Sequence, residues 1–160
     1  MAFLRVNGLR TIEFGTPGAI RDHLNDLIIN GNKRATAGLL KEDYIDEGEE
    51  IEFVGERLAI LDNYQKQIGI IKVTRVEVLE FKDVPTEFAL AEAEGDLSGD
   101  DFRRSHLKFW NSVGVDVKPE TKVVTVYFDL EKLSGRYWDR TSDPFHVKEV
   151  RYRCANRPLS

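Results

Sequence analysis

The sequence holds a single cysteine, Cys154, among its 160 residues. That excludes an internal disulfide and a cysteine zinc site, and it fits a reducing compartment. No apolar run approaches the roughly 20 residues that a membrane-spanning helix needs. The opening Met1-Ala2-Phe3-Leu4-Arg5 turns polar at once, unlike the basic-then-apolar order of a secretory leader. These absences predict a cytoplasmic protein with no membrane partner. Internal repeats and low-complexity linkers are also missing. A surplus of basic charge is missing too: the net charge is -5. That argues against loose, whole-surface nucleic-acid binding and leaves room only for a local basic groove. What remains is an ordinary soluble composition, 41% hydrophobic and 32% charged, on a chain long enough to bury a core.

Residues 2–15 read as an irregular lead-in. Thr16-Pro17 reads as a helix start, with Thr as N-cap and Pro at the first helical position. Ile20, Leu24, Leu27 and Ile28 then share one face. His23 lies beside that face, and nothing near it completes a metal set. The helix ends in Asn30-Gly31-Asn32-Lys33-Arg34-Ala35-Thr36, a Gly-x-Lys-x-x-Thr turn. Gly31 can take a left-handed backbone and reverse the chain there. An amine and a hydroxyl side by side on a turn can grip an anion, polarise a carbonyl or activate a nucleophile. The bland alternative is a solvated helix exit with a surface lysine.

Residues 36–40 read as extended, followed by an acidic loop or short helix. A hairpin is expected from strands 51–54 and 58–61 around Gly55-Glu56-Arg57, then a turn at 62–66. Residues 67–81 form the longest strand-like stretch, and their alternation changes phase twice, as a bulged strand does. Residues 86–93 read as a short helix. Ser98 with Asp101 three residues on resembles a capping box. Phe102, Phe109 and Val113 would be the buried stripe of the next helix, with Trp110 beside it. A last strand spans 123–130, with Val124, Val126, Phe128 and Leu130 on one face. The order predicts an α+β domain around a small, curved, mostly antiparallel sheet.

Residues 136–160 change character. They hold six Lys/Arg and three Asp/Glu, whereas the preceding chain holds seventeen and twenty-five. Trp138-Asp139-Arg140-Thr141 can be encoded by TGG-GAT-CGA-ACC. The reverse complement of that string contains GGTTCGATCCC, which looks like the T-arm of a transfer RNA gene. The expectation is a single domain over 1–135 and an atypical basic tail, read as antisense read-through with no site on it.

The Gly31-x-Lys33-x-x-Thr36 turn, the curved strand region, and the segment from Val84 to Ser98 with its Glu-Ala-Glu-Gly-Asp run occur in that order. His106-x-x-Phe109 follows on the next helix. Together they resemble an ASCH domain of the PUA-like superfamily, in its bacterial stand-alone subgroup, over roughly residues 15–130. The resemblance implies a PUA-like β-barrel with flanking helices, and RNA or a nucleotide as ligand. It also implies that Lys33, Thr36 and an acid from the later segment can hydrolyse the amide of a modified nucleoside such as 4-acetylcytidine. Glu94 is the best match for the acid and Glu92 a close second.

Amide hydrolysis needs an activated nucleophile, a proton donor for the leaving amine and a charge facing the oxyanion. Thr36 suits the first role or the orientation of a water. Lys33 can act as base or as a fixed cation. Glu94 can carry the proton. Gly31, Arg34, Tyr64, Glu92, Arg103 and Arg104 are the expected RNA- or nucleotide-binding residues, Tyr64 by stacking on a base. His106, lying toward the buried stripe, reads as a packing residue, and Asp96 as a turn residue. No cofactor and no metal is expected. A ribonuclease in the same cleft and a non-catalytic RNA-binding module are the alternatives. A closed, one-base pocket would favour the amidohydrolase, a long basic groove the RNA readings, and a Lys33 that points away from any cavity would sink both.

Overall fold

The computed structural model describes residues 5–133, and the basic tail lies outside them. Its six strands are β1 (Arg5–Val6), β2 (Leu9–Ile12), β3 (Ala35–Leu39), β4 (Arg57–Leu61), β5 (Gln67–Glu80) and β6 (Lys122–Leu133). They form one sheet in the order β1-β2-β4-β5-β6-β3. Among the described residues, the pairing of β2 with β4 is parallel and the other pairings are antiparallel. Three helices flank the sheet: α1 (Ala19–Ile29), α2 (Thr86–Glu92) and α3 (Gly99–Ser112). A π-helical segment, Leu40–Ile45, follows β3. The α+β, mostly antiparallel fold expected from the sequence is present, as a curled sheet whose edges β1 and β3 stay open.

The curl is built into β5. Its register against β6 shifts between Ile70 and Ile71 and again between Val73 and Arg75, and the pairing of β4 with β5 shifts at Ile60/Leu61. Each extra residue bends the strand and flips the side chains that follow. The bulge between Val73 and Arg75 is the source of the first phase change in the sequence, whereas Val76 to Glu80 pair with β6 in regular register across the second. The central strand β6 is buried on both faces. Val124, Val126 and Phe128 pack with Phe14, Leu24, Ile28 and Ile71, under α1. Val123 packs on the other side with Phe81, Phe88, Phe102 and Trp110, under α2 and α3.

Three local expectations are corrected. Helix α1 starts at Ala19, not at Thr16-Pro17, and its N-cap is Gly18. Gly18 has no side chain to cap with, and Asn63 of the neighbouring turn anchors its backbone instead. The Gly18 amide donates to Asn63 Oδ1 at 2.8 Å, and Asn63 Nδ2 donates to Asp22 Oδ1 at 2.8 Å. Residues 51–54 form no strand. Phe53 and Val54 are exposed, and β4 instead forms its hairpin with β5 through the 62–66 turn. The buried stripe of α3 is Phe102, His106 and Trp110, whereas Val113 is 56% exposed. A spacing of four residues keeps those three side chains on one face, and counting only apolar residues hides the middle one.

Beneath the 51–54 loop, Arg10 is held by Glu49, Glu56 and the Glu50 carbonyl. Nearby, the Tyr44 hydroxyl donates to Glu52 Oε1 at 2.8 Å. Burial pushes the Glu52 carboxyl above its ordinary value, against the pull of that hydrogen bond and of Arg10. The same burial, with the Glu52 charge, pushes the Tyr44 hydroxyl well up.

Candidate functional site

Helix α1 ends where its last carbonyls are taken by the turn that follows. The Gly31 amide donates to Ile28 O at 3.0 Å, and the amides of Asn32 and Lys33 both donate to Leu27 O. Gly31 has φ 82°, the left-handed conformation expected of it. The backbone of Arg34 then ties the turn to two neighbours. Its amide donates to Ala91 O at 2.7 Å, and its carbonyl accepts from the Phe128 amide at 2.9 Å. The Lys33 side chain is thereby driven inward and not toward solvent.

The segment after α2 supplies its partner. Ala93 takes a left-handed backbone (φ 57°), and the chain beyond it alternates between inside and outside. Glu92, Glu94 and Asp96 are buried, while Gly95 and Leu97 are exposed. The sequence Glu-x-Glu-x-Asp thus acts as a two-residue period that aims three acids at the interior. Lys33 Nζ donates to Glu94 Oε2 at 2.6 Å and to Ala35 O at 2.8 Å, with Glu92 O at 3.4 Å. Both side chains of the ion pair are essentially without solvent, 0% and 1% exposed.

Thr36 is buried on edge strand β3, opposite Val126 of β6. Cross-strand partners share a face, and Val126 packs with Phe14. The Lys33 ammonium lies 6.0 Å from the centre of the Phe14 ring. The hydroxyl of Thr36 and the ammonium of Lys33 therefore lie on the Phe14 side of the sheet. Among the described residues the Thr36 hydroxyl has no hydrogen-bond partner.

Helix α3 brings His106 to the same acids. Its ring stacks on Phe102, with centroids 3.9 Å apart. Nδ1 lies 2.9 Å from Phe102 O and 3.1 Å from Ser105 Oγ. Ser105 in turn donates to Asp96 at 3.0 Å. A carbonyl oxygen can only accept, so Nδ1 carries the hydrogen. Nε2 faces Glu92 Oε1 at 3.5 Å. One ligand atom each from Glu92, Glu94 and His106 lies within 4.8 Å of the others.

Of the residues singled out in the sequence, Lys33, Glu94 and Glu92 meet in this cluster, with Thr36 on the adjoining strand. Others are not brought to it. The Tyr64 side chain is exposed on the turn whose Asn63 caps the start of α1. Lys33 follows the far end of that helix, about 16 Å along its axis. Arg103 is committed to the carbonyls of Lys82 and Val84 and to Asp100. Arg104 pairs with Asp101 on the exposed side of α3. The Arg34 side chain is exposed. His106, Asp96 and Ser105 were not foreseen as part of the cluster. Their signal is the Glu-x-Glu-x-Asp alternation, together with a histidine four residues from each of two buried aromatics.

Comparison with known proteins places this geometry in context. The family model for the ASCH domain matches residues 10–132. A crystal structure of a protein from Enterococcus faecalis V583 superposes with a TM-score of 0.70 at 25% identity, covering 88% of this chain and 86% of that one. A crystal structure of an ASCH domain from Lactobacillus crispatus JV V101 gives 0.64 at 27% identity, over 75% of this chain and 77% of that one. No functionally curated protein matches the chain.

Proposed function

Because the chain belongs to the ASCH domain family, a PUA-like fold associated with RNA, we propose that it binds RNA or a modified nucleoside beside the lysine turn and hydrolyses a nucleoside amide of the 4-acetylcytidine kind. The observation that carries this reading is the meeting of Lys33 with Glu94 at 2.6 Å in a cluster without solvent. A cation in such a place stabilises an oxyanion far better than it does in water, because little dielectric screening remains. Glu94 accepts a proton and returns it to the leaving nitrogen on this reading. Thr36 supplies a hydroxyl as nucleophile or as the anchor for an attacking water.

One observation favours a second reading, a binding module without turnover. Lys33 and Glu94 already neutralise each other, and neither side chain meets solvent. A substrate would have to open that contact before reaching either group.

The test is turnover of 4-acetylcytidine by the full chain, beside Lys33→Ala and Thr36→Val. Cytidine released by the parent protein and by neither variant is the expected result. No turnover by a folded parent chain would overturn the hydrolase reading. RNA retention lost in the Lys33 variant would then favour the module. The Thr36 variant keeps the control informative, since valine fits the same space.

A further inference from the structure

We propose that Glu92, Glu94 and His106 form a binding site for one divalent transition-metal ion. No spacing along the chain announces it, because the three residues come from two helices and a loop. The site stands on its own geometry and not on the hydrolase reading above.

The first argument is the orientation of His106. Its Nδ1 lies 2.9 Å from Phe102 O, which turns Nε2 toward Glu92 Oε1. Metal-bound histidines are oriented in this way, with the far ring nitrogen donating to a carbonyl or carboxylate. Ser105 and Asp96, on the same side of the ring, complete that supporting layer.

The second argument is distance. His106 Nε2 and Glu92 Oε1 lie 3.5 Å apart. That is longer than an ordinary N–H···O hydrogen bond. Ligands held at about 2.1 Å around a tetrahedral ion lie about 3.4 Å apart, close to the separation found here. The third ligand atom, from Glu94, lies within 4.8 Å of both. Lys33 holds Oε2 of that carboxylate, so an ion would take Oε1.

The third argument is charge. Three acids, Glu92, Glu94 and Asp96, share one buried cluster with Lys33 and His106. A divalent cation adds positive charge to a set that holds more acids than bases. Buried charge is tolerated when it is compensated in place. Two carboxylates and one imidazole suit zinc or manganese more than calcium, which prefers six or more oxygens. Three protein ligands leave a fourth position for water or for a ligand atom.

The test is titration of the chelator-stripped full chain with Co2+, followed by visible absorption, then displacement by Zn2+. The expected result is saturation at one equivalent, with affinity reduced about tenfold or more in Glu92→Gln and in His106→Phe. The first variant keeps the shape of the side chain, and the second keeps the stack on Phe102. If one of them fails to fold, the other decides. No uptake by the folded parent chain would overturn the site. Uptake left unchanged by both variants would overturn it equally, since the ion would then sit elsewhere. No substrate is present in the titration, so an absent metal leaves the hydrolase reading standing, and absent turnover leaves the metal site standing.

Discussion

Lys33 and Glu94 are sixty-one positions apart in the chain, and their side chains meet at 2.6 Å with almost no water on either. The contact ties the exit of α1 to the segment after α2. Removing one partner strands the other charge in a low-dielectric cluster. Glu94→Ala should destabilise the fold by about 3–5 kcal/mol. The apolar pair Lys33→Met with Glu94→Leu should recover most of that loss. Urea unfolding of the parent, Glu94→Ala and the double variant checks this directly.

Thr36→Val separates stability from function. The hydroxyl is buried without a hydrogen-bond partner, so its removal relieves a desolvation penalty of about 1 kcal/mol or more. The variant should unfold at equal or higher urea concentration than the parent. On the hydrolase reading it should turn over 4-acetylcytidine at least about a hundredfold more slowly, the scale of a lost positioned catalytic group.

Asn63→Ala should expose how α1 is started. The cap comes from a turn forty-five positions away and satisfies Gly18 and Asp22 together. Its loss should cost about 1–2 kcal/mol, the scale of a lost N-cap. Hydrogen exchange should rise first in the opening turn of α1.

Glu52→Gln should change the dependence of stability on pH. Burial raises the Glu52 carboxyl above its ordinary 4.5. A raised native pKa gives stability that is complete below the unfolded value and is lost as pH climbs through the native one. Glutamine keeps an acceptor for the Tyr44 hydroxyl and never ionises. The variant should therefore gain on the parent from about pH 4.5 upward and hold a constant lead above the native pKa of Glu52. Chemical unfolding of both proteins from pH 4 to pH 8 reads the difference directly.

Where the sequence was legible, local chemistry and long-range packing agreed. Gly31 needed a left-handed backbone and has it. The first phase slip of β5 is a bulge. The Ser98 hydroxyl accepts from the Asp101 amide, as a capping pair should. The Asp101 carboxylate returns its bond one residue early, to the Leu97 amide. The failures share a cause. Thr16-Pro17 carries a good local start signal, but the cap that operates is Asn63, which no window along the chain can show. Residues 51–54 have strand-like side chains, yet β4 finds its hairpin partner in β5. His106 was read as packing, and its stack on Phe102 bears that out. Its second role depends on Glu92 and Asp96, which only the tertiary fold brings beside it.

The position of β6 has a consequence for how the protein is made. The strand comes last among the described elements, yet it lies between β5 and β3. During synthesis, β3 leaves the ribosome with its hydrogen-bonding edge open, and it must wait for more than eighty further residues before its partner arrives. The Arg34 carbonyl, which fixes the lysine turn, waits for Phe128 in the same way. The early part of the chain therefore matures only when the late part does. A nascent chain stalled after α3 would carry Lys33, Thr36, Glu94 and His106 but no frame to hold them, with an apolar strand exposed to pairing with its neighbours.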